Sequence, residues 1–249
     1  MTPDIVVDIG NSRMKWGRVQ QGKIVEMVSL SLTNEREWEN QRDLWLLDRT
    51  IRWAMAGVNP TAQSRFEYWT RSEVCHIHSF RQIPLTVAID NPEQVGIDRL
   101  LNAVAAMAPA KPVLVVSVGT AVTIDLVDGN ATFRGGAILP GFRLMAQSLT
   151  QGTAKLPEIA FTEHASPLPG KSTSEAIKTG IYWSILSAIN ALRASYPFEL
   201  NPNVSKSTVL PLVLTGGDHR LLIDDMEQPV RVVPDLTLEG IRLVAERMS

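Results

Sequence analysis

The chain has 249 residues, of which 45% are hydrophobic and 20% charged, and its formal net charge is −2. These values are typical of a globular protein and exclude a disordered or collagen-like chain. The small net charge gives no electrostatic argument for binding nucleic acid or an anionic membrane. The length allows one large domain or two of modest size.

Cysteine usage and the apolar segments indicate the cellular compartment of the protein. Cys75 is the only cysteine, which excludes an intramolecular disulfide and fits a reducing compartment, and its simplest role is that of a small buried strand residue. The opening MTPDIVVD has no basic segment and carries an acid among apolar residues, so it does not predict a signal peptide. The most apolar segment, 112–127, contains Gly119 and Asp125 and is short for a membrane span. We therefore expect a cytoplasmic protein.

The first third of the chain predicts a β-hairpin followed by alternating helices and strands. Strands are expected at 6–9, 15–19, 23–30 and 51–60, and helices at 34–48 and 60–71. The alternating VCHIHSF predicts a further strand with His76 and His78 on one face. No third metal ligand lies near them in the sequence, so a partly exposed strand face is favoured over a metal site.

The second half repeats the opening. A helix is predicted at 96–107, and Pro109 and Pro112 end it, which indicates domains at 1–111 and 112–249. VLVVSVGTAVTIDLV then echoes IVVDIGNSRMKWGRV as a second hairpin with a glycine and a polar residue at its tip, and GNATFRGGAIL adds a third strand. Later elements are predicted in chain order: a helix at 174–195 with the capping box Ser172–Glu175, a strand at 209–215, a helix after TGGDH, a strand near Val230 and a helix from Thr237. This order favours an α/β protein with mixed sheets.

The tip of the first hairpin is the first candidate site. Asp8 ends an apolar strand, where a buried carboxylate is costly without a partner, and Asn11, Ser12 and Lys15 follow around the turn. Ordinary turn chemistry would explain Gly10 and Asn11 alone. The acid, the small donors and the lysine together favour a phosphate and metal site, with Asp8 near a hydrated magnesium ion and the lysine against phosphate.

Two more glycine turns suit a nucleotide, because backbone N–H groups in tight turns bind anions. They are Gly119–Thr120 and the LTGGDH sequence at a strand-to-helix junction. The Gly170-Lys171-Ser172 sequence resembles the end of a P-loop, but Ala165 stands where that motif requires glycine, so it fails as a Walker motif.

A further candidate lies in EQVGIDRLLNAVAA, where Asp98 and Arg99 fall in the first turn of the predicted helix. A favourable interaction with the helix dipole would explain Asp98 by itself but leaves the adjacent arginine unexplained. A carboxylate beside an anion-binding arginine could accept a proton from a substrate hydroxyl during phosphoryl transfer.

These motifs together resemble the type III pantothenate kinases. DIGNSRMK, NPEQVGIDR, VGTAVTID, GGAILPG and TLEGI occur in the order and spacing of that family over nearly the whole chain. The resemblance implies the actin/hexokinase/sugar-kinase superfamily fold, with two RNase H-like domains, ATP in the cleft between them and a homodimer. It also implies ATP-dependent phosphorylation of pantothenate to 4'-phosphopantothenate, the first step of coenzyme A biosynthesis, with magnesium and a monovalent cation, potassium or ammonium.

The resemblance assigns roles by position. Asp98 is the proton acceptor, the pantothenate site is Gly96, Ile97, Asp98 and Arg99 with Thr173, and Thr120 contacts ATP. The first phosphate loop consists of Asp8, Ile9, Gly10, Asn11, Ser12, Arg13, Met14 and Lys15.

Three positions depart from the family's pattern. Ser12 replaces a threonine and keeps the hydroxyl, whereas Ile89 replaces a tyrosine near pantothenate and removes a polar contact. Ser117 stands where the family has the aspartate that binds the monovalent cation, and a neutral hydroxyl holds a cation less well. Ile89 and Ser117 leave two other hypotheses open: a non-catalytic relative that binds nucleotide or pantothenate as an accessory factor, and a kinase for another small hydroxylated acid.

Overall fold

The computed structural model describes residues 2–48, 50–107, 112–161, 168–200 and 209–248. The chain divides into two compact units: unit 1 is Met1–Ala108 with Asp235–Ser249, and unit 2 is Pro109–Pro234. The predicted domains, 1–111 and 112–249, differ from these units in the C-terminal segment, and the predicted boundary itself lies outside the described residues.

The strands, in chain order, are β1 (Ile5–Ile9), β2 (Met14–Gln20), β3 (Lys23–Leu30), β4 (Trp53–Gly57), β5 (Val74–Ile77), β6 (Thr86–Val87), β7 (Val113–Val118), β8 (Ala121–Val127), β9 (Thr132–Pro140), β10 (Leu212–Thr215) and β11 (Val230–Val232). The α-helices are α1 (Glu35–Leu44), α2 (Pro60–Thr70), α3 (Ile97–Ala106), α4 (Phe142–Gly152), α5 (Thr173–Leu200) and α6 (Leu236–Arg247).

The predicted internal repeat is visible in the two sheets. The sheet of unit 1 has the order β3-β2-β1-β4-β5, and the corresponding strands of unit 2 have the order β9-β8-β7-β10-β11. In each unit the first three strands pair antiparallel, and the first of them pairs in parallel with the fourth. The two units thus share one strand order and pairing. Because the side chains of a strand alternate between faces, equivalent residues of the two hairpins lie at equivalent positions at their tips.

An aromatic cluster fills one side of the sheet in unit 1. Trp16 on β2 is fully buried and packs edge-on against Trp53 and Phe66, at centroid distances of 5.2 and 5.8 Å. Trp38 of α1 lies 5.9 Å from the same phenylalanine. Such edge-to-face pairs add to the hydrophobic stabilisation and fix the strand that carries Lys15.

The C-terminal helix α6 belongs to unit 1 because it packs closely on α3. A Cβ atom added at Gly240 would lie 2.2 Å from the carbonyl oxygen of Leu101, so glycine allows the two helix backbones to touch. The hydroxyl of Thr237 also donates a hydrogen bond of 2.8 Å to the side-chain oxygen of Asn102. These contacts explain why α6, which the sequence analysis placed in the second domain, belongs to unit 1.

Several predicted boundaries change in the structure. Helix α1 ends at Leu44, earlier than predicted, because Leu46 adopts a left-handed φ of 55° and the N–H of Leu47 donates to the carbonyl of Arg42, which closes the helix end. The predicted helix after TGGDH is two short 3₁₀ turns, at His219–Leu221 and Ile223–Asp225. Helix α4 was not predicted at all.

Candidate active site

The tip of the first hairpin is a tight turn that presents polar groups to solvent. The N–H of Gly10 donates to the carbonyl of Arg13 at 3.0 Å, which closes the turn. Asn11, Ser12 and Arg13 are exposed around it. A Cβ at Gly10 would lie 3.2 Å from that same carbonyl oxygen, so a larger residue would crowd the turn. The structure thus places the predicted phosphate loop on an accessible hairpin tip.

Asp8 lies at the base of this tip, directly opposite Lys15 in the antiparallel β1–β2 pair. Burial raises the pKa of the Asp8 carboxyl to about 6, although the charge of Lys15 lowers it and the charge of Asp98 raises it further. The carboxylate is therefore ionised at neutral pH, but in an environment that disfavours its charge. A cation that binds there would relieve this cost.

Asp98 lies in the first turn of α3, where Gly96 is the N-cap. Its side chain folds back over that cap, since a Cβ at Gly96 would lie 2.5 Å from the Asp98 Oδ1 atom. Burial raises the pKa of Asp98, while the Arg99 backbone N–H and guanidinium lower it. The structure therefore holds the predicted proton acceptor in one orientation and joins it electrostatically to Asp8.

These two carboxylates suit a hydrated divalent cation. Magnesium is usually held by one or two protein carboxylates together with phosphates and water. Within the described ranges, no group of three histidine, cysteine, aspartate or glutamate side chains could hold a metal ion by itself. Asp8, with Asp98 nearby, therefore fits an ion that would be shared with nucleotide phosphates.

The glycine turns of unit 2 lie against one another. Gly141 precedes α4, and a Cβ there would lie 2.0 Å from the carbonyl oxygen of Gly119. Gly216 has a φ of +93°, and its Cβ would lie 2.2 Å from the carbonyl oxygen of Val118. Glycine is needed at both positions because the backbones of three chain segments meet beside the exposed Thr120. The structure thus joins the second and third predicted glycine turns.

Of two charged residues at this junction, Arg143 was missed from the sequence, whereas Asp218 lies in the predicted LTGGDH turn. Arg143, in the first turn of α4, forms a 3.3 Å ion pair with Asp218. The N–H of Asp218 donates to the carbonyl of Val118 at 3.0 Å and so fixes the turn after β10. The signal for α4 was present in the apolar spacing of Phe142, Met145 and Leu149 after a glycine.

Ser117 lies in a row of hydroxyl residues across three strands. In the register of the unit 2 sheet, it pairs with Thr123 on β8 and with Thr215 on β10. Directly paired positions share one face of a sheet, so the three hydroxyls line the same face. Neither neighbour supplies the negative charge that Ser117 lacks.

The structure also explains why Gly170-Lys171-Ser172 is not a P-loop. The Glu175 carboxylate accepts hydrogen bonds from the N–H groups of Lys171 and Ser172, at 2.7 and 3.2 Å. The Ser172 hydroxyl accepts from the Glu175 N–H at 3.2 Å, which confirms the predicted capping box. The N–H groups that would bind phosphate are thus already paired. Thr173, the first residue of α5, is exposed at this helix end.

His76 on β5 and His78, one residue beyond the end of that strand, form a structural contact. Their rings lie 5.1 Å apart, and Nδ1 of His76 lies 3.4 Å from the Glu67 carboxylate. Burial lowers the pKa of His76, and the charge of His78 lowers it further. His76 is partly buried and His78 is exposed, so the ring contact lies at a partly exposed edge of unit 1.

Comparison with known proteins agrees with this geometry. The sequence profile described as type III pantothenate kinase matches residues 5–195. A type III pantothenate kinase from Alkalilimnicola ehrlichii is 33% identical over 97% of both chains, and one from Persephonella marina is 28% identical over 94% of this chain and 95% of its own. A third, from Acidiphilium cryptum, is 37% identical, and the match spans 65% of this chain and 58% of that relative's length.

Solved structures support the fold alone. A protein from Campylobacter jejuni described as a conserved Baf family transcriptional activator has a TM-score of 0.59 at 17% identity, with 98% of both chains covered. A protein from Sinorhizobium meliloti described as a 2-dehydro-3-deoxygalactonokinase has a TM-score of 0.58 at 12% identity, again over 98% of both. Both likenesses cover nearly the whole chain and agree with the α/β fold of two units with similar mixed sheets.

The described residues contain no helix of sufficient length and apolar character to cross a membrane.

The profile covers most of the chain, and the hairpin tip, the Asp98 helix turn and the second glycine hairpin all lie inside the matched segment. This protein belongs to the type III pantothenate kinase family.

Proposed function

We propose that the protein transfers the γ-phosphate of ATP to the primary hydroxyl of pantothenate and forms 4'-phosphopantothenate, the first step of coenzyme A biosynthesis. The observation that carries this proposal is the electrostatic pairing of two partly buried carboxylates, Asp8 and Asp98, beside a polar hairpin tip. Phosphoryl transfer needs a cation site and a proton acceptor close together, and this pair offers both.

Asp98 is proposed as the base. The substrate oxygen attacks the γ-phosphorus, its bond to phosphorus forms as the bond to the leaving ADP oxygen breaks, and the hydroxyl proton passes to Asp98. Its raised pKa makes this carboxylate a better proton acceptor than an exposed aspartate. Gly96 supports this role because only a residue without a side chain leaves room for the folded-back carboxylate.

The hairpin tip is proposed to bind the phosphates. Segment 8–15 would supply backbone N–H groups, hydroxyl and amide donors and the Lys15 charge. Asp8 would hold a hydrated magnesium ion, which neutralises phosphate charge when bound. In unit 2, Thr120 would contact ATP and Thr173 would contact pantothenate, as the family resemblance implies.

Other parts of the proposal depend on the resemblance alone. They are a homodimer, a cytoplasmic location and a weak monovalent cation position at Ser117. The hydroxyls of Thr123 and Thr215 beside Ser117 could still coordinate potassium or ammonium, but without a formal charge.

A coupled assay tests the proposed activity. Purified protein with ATP, magnesium and pantothenate should release ADP and form phosphopantothenate, detected by mass spectrometry. Omitting pantothenate and replacing it with another small hydroxylated acid are the controls. No phosphorylated product in the presence of tight pantothenate binding would contradict the kinase proposal and favour an accessory binding role.

A further inference from the structure

The C-terminal helix α6 contacts both of the elements that carry the candidate carboxylates of unit 1. It packs against α3, where a Cβ at Gly240 would lie 2.2 Å from the carbonyl oxygen of Leu101. Its Leu238 packs over the β1–β2 pair, since a Cβ at Gly17 would lie 3.3 Å from the Leu238 Cδ1 atom. Helix α6 therefore fixes where α3 lies relative to the first hairpin.

The face of the hairpin that α6 covers is the face that carries Asp8. Gly17 pairs directly with Val6 in the register of β1 and β2, so these two positions share a face of the sheet. Asp8 lies two residues after Val6, and the side chains of a strand alternate, so the Asp8 carboxylate lies on this face too. Val7 belongs to the opposite face and packs in the aromatic cluster.

On α3, a polar contact with α6 lies one helical turn from Asp98. Asn102 comes four residues after Asp98, and positions with this spacing lie on one face of a helix. Asn102 is 3% exposed, and its side-chain oxygen accepts the 2.8 Å hydrogen bond from the Thr237 hydroxyl. A buried oxygen that loses its donor is costly, so this bond restrains the rotation of α3 about its own axis.

Ion pairs along α6 keep the helix itself in shape. The largely buried Arg242 guanidinium donates to the carboxylates of Glu239 and Glu246, at 2.8 and 2.7 Å. Pairs three and four residues apart stabilise a helix, and charge-assisted hydrogen bonds are stronger than neutral ones. The surface that α6 offers to α3 and to the hairpin is therefore rigid.

We propose that α6 holds the proposed base, Asp98, in its working position, and that Thr237 and Gly240 are the positioning residues. This inference rests on the proposed function, in which Asp98 accepts the substrate proton and Asp8 binds the cation. Neither positioning residue would touch the reacting atoms, because each acts through its contact with α3. A shift of about 1 Å in a catalytic group can lower turnover about 10²-fold, so such contacts matter to the rate.

The first test enlarges the residue at the point where the helices touch. In Gly240→Ala the added methyl group meets the Leu101 carbonyl and displaces α3, so kcat should fall about 10²-fold while the KM for ATP changes little. Gly180→Ala on α5 is the matched control, because a Cβ there meets nothing within 4 Å, and it should keep the wild-type kcat.

The second test removes only the hydrogen bond. Valine has nearly the shape of threonine but lacks the hydroxyl, so Thr237→Val should lower kcat about threefold to tenfold. Thr237→Ser, which retains the hydroxyl, should restore most of the loss, and the exposed Thr61→Val on α2 is the control. This milder variant decides the matter if Gly240→Ala does not fold.

A measurement without turnover separates this proposal from the kinase proposal. The Arg99 backbone N–H donates to the Asp98 carboxylate, so its amide chemical shift in the NMR spectrum reports the position of that carboxylate. The shift should change in Gly240→Ala and Thr237→Val and keep its wild-type value in Gly180→Ala. Absence of phosphorylated product from the wild type would contradict the kinase proposal alone, and the amide shifts would still decide this one.

Two results would overturn the positioning role. One is a lower melting temperature in Gly240→Ala or Thr237→Val with a wild-type kcat and a wild-type Arg99 amide shift, which would make these contacts purely structural. The other is an equal loss of kcat in Thr237→Val and Thr237→Ser, because the hydroxyl would then have no part in the effect.

Discussion

The negative charge of Asp98 raises the pKa of Asp8, so the first turn of α3 and the end of β1 are electrostatically coupled. A basic residue alone does not offset the cost of these charges: at Asp8, burial raises the pKa by more than the charge of Lys15 lowers it. Titratable groups whose pKa values are strongly perturbed cluster at functional sites. The coupling leads to the first two predictions.

Replacing Asp98 by asparagine should lower kcat by about 10²–10⁴-fold, because the amide cannot accept the substrate proton. Nucleotide and pantothenate binding should change little, since the two side chains have the same shape. Asp43→Asn, an exposed change on α1, is the charge-matched control. Wild-type turnover by Asp98→Asn would show that this carboxylate only caps its helix.

Replacing Asp8 by asparagine should weaken magnesium-dependent activity yet stabilise the fold at high pH. The folded-state pKa of about 6 lies above the ordinary value of 3.8, so the folded protein is penalised as pH rises through this interval. Above about pH 6 the variant should gain about 1–3 kcal/mol, and near pH 4 the gain should vanish.

Thermal unfolding of wild type and Asp8→Asn at several pH values measures this difference. Activity against magnesium concentration, measured in parallel at pH 8, reports the cation site. If Asp8→Asn changed neither the stability at pH 8 nor the response to magnesium, we would conclude that Asp8 is a structural residue whose charge has no role.

Ser117 should make the enzyme respond only weakly to potassium. The proposed cation position has hydroxyls from Ser117, Thr123 and Thr215 beside it, and a hard cation binds anionic oxygen more tightly. Ser117→Asp should steepen the activation when potassium replaces a large inert cation at constant ionic strength, and Ser117→Asn serves as an uncharged control. Strong, saturable activation of the wild type at low potassium would contradict this expectation.

Arg193 should be essential for the stability of unit 2. It is 2% exposed and donates to the carbonyl oxygens of Leu210 and Pro229 at 2.8 and 2.7 Å, as well as to that of Glu227. Arg193→Met would leave these carbonyls without their donor, at a cost of about 3 kcal/mol or more. A melting temperature lower by roughly 10 °C is expected, whereas the exposed Arg220→Met should melt like wild type.

The sequence was most informative for elements that a local residue pattern marks and that also form part of the candidate site. The hairpin at Asp8, the turn at Asp98 and the repeated hairpin at Gly119 were predicted because apolar strands and glycine turns leave clear periodic signals. Helix α1 was predicted too long because its sequence continues with apolar residues, and only the left-handed conformation of Leu46 ends it. Leucine rarely adopts a left-handed conformation, so the sequence does not indicate this helix end.

Contacts between distant segments were not predictable in the same way. The approach of Gly141 to Gly119, and of Gly216 to Val118, depends on how strands and a helix start meet in unit 2. The Arg143–Asp218 ion pair joins residues far apart in sequence, and nothing local to either residue indicates the other. The coupling of Asp8 with Asp98 is likewise a property of the packed unit.

The close packing of Gly240 on Leu101 has a consequence for synthesis on the ribosome. All of unit 2 is translated before α6, the helix that completes unit 1. Unit 2 is continuous in sequence and can fold as it emerges, whereas the unit that carries Asp8 and Asp98 waits with one side of α3 uncovered. During that interval the nascent chain exposes the side of α3 that α6 covers in the folded unit.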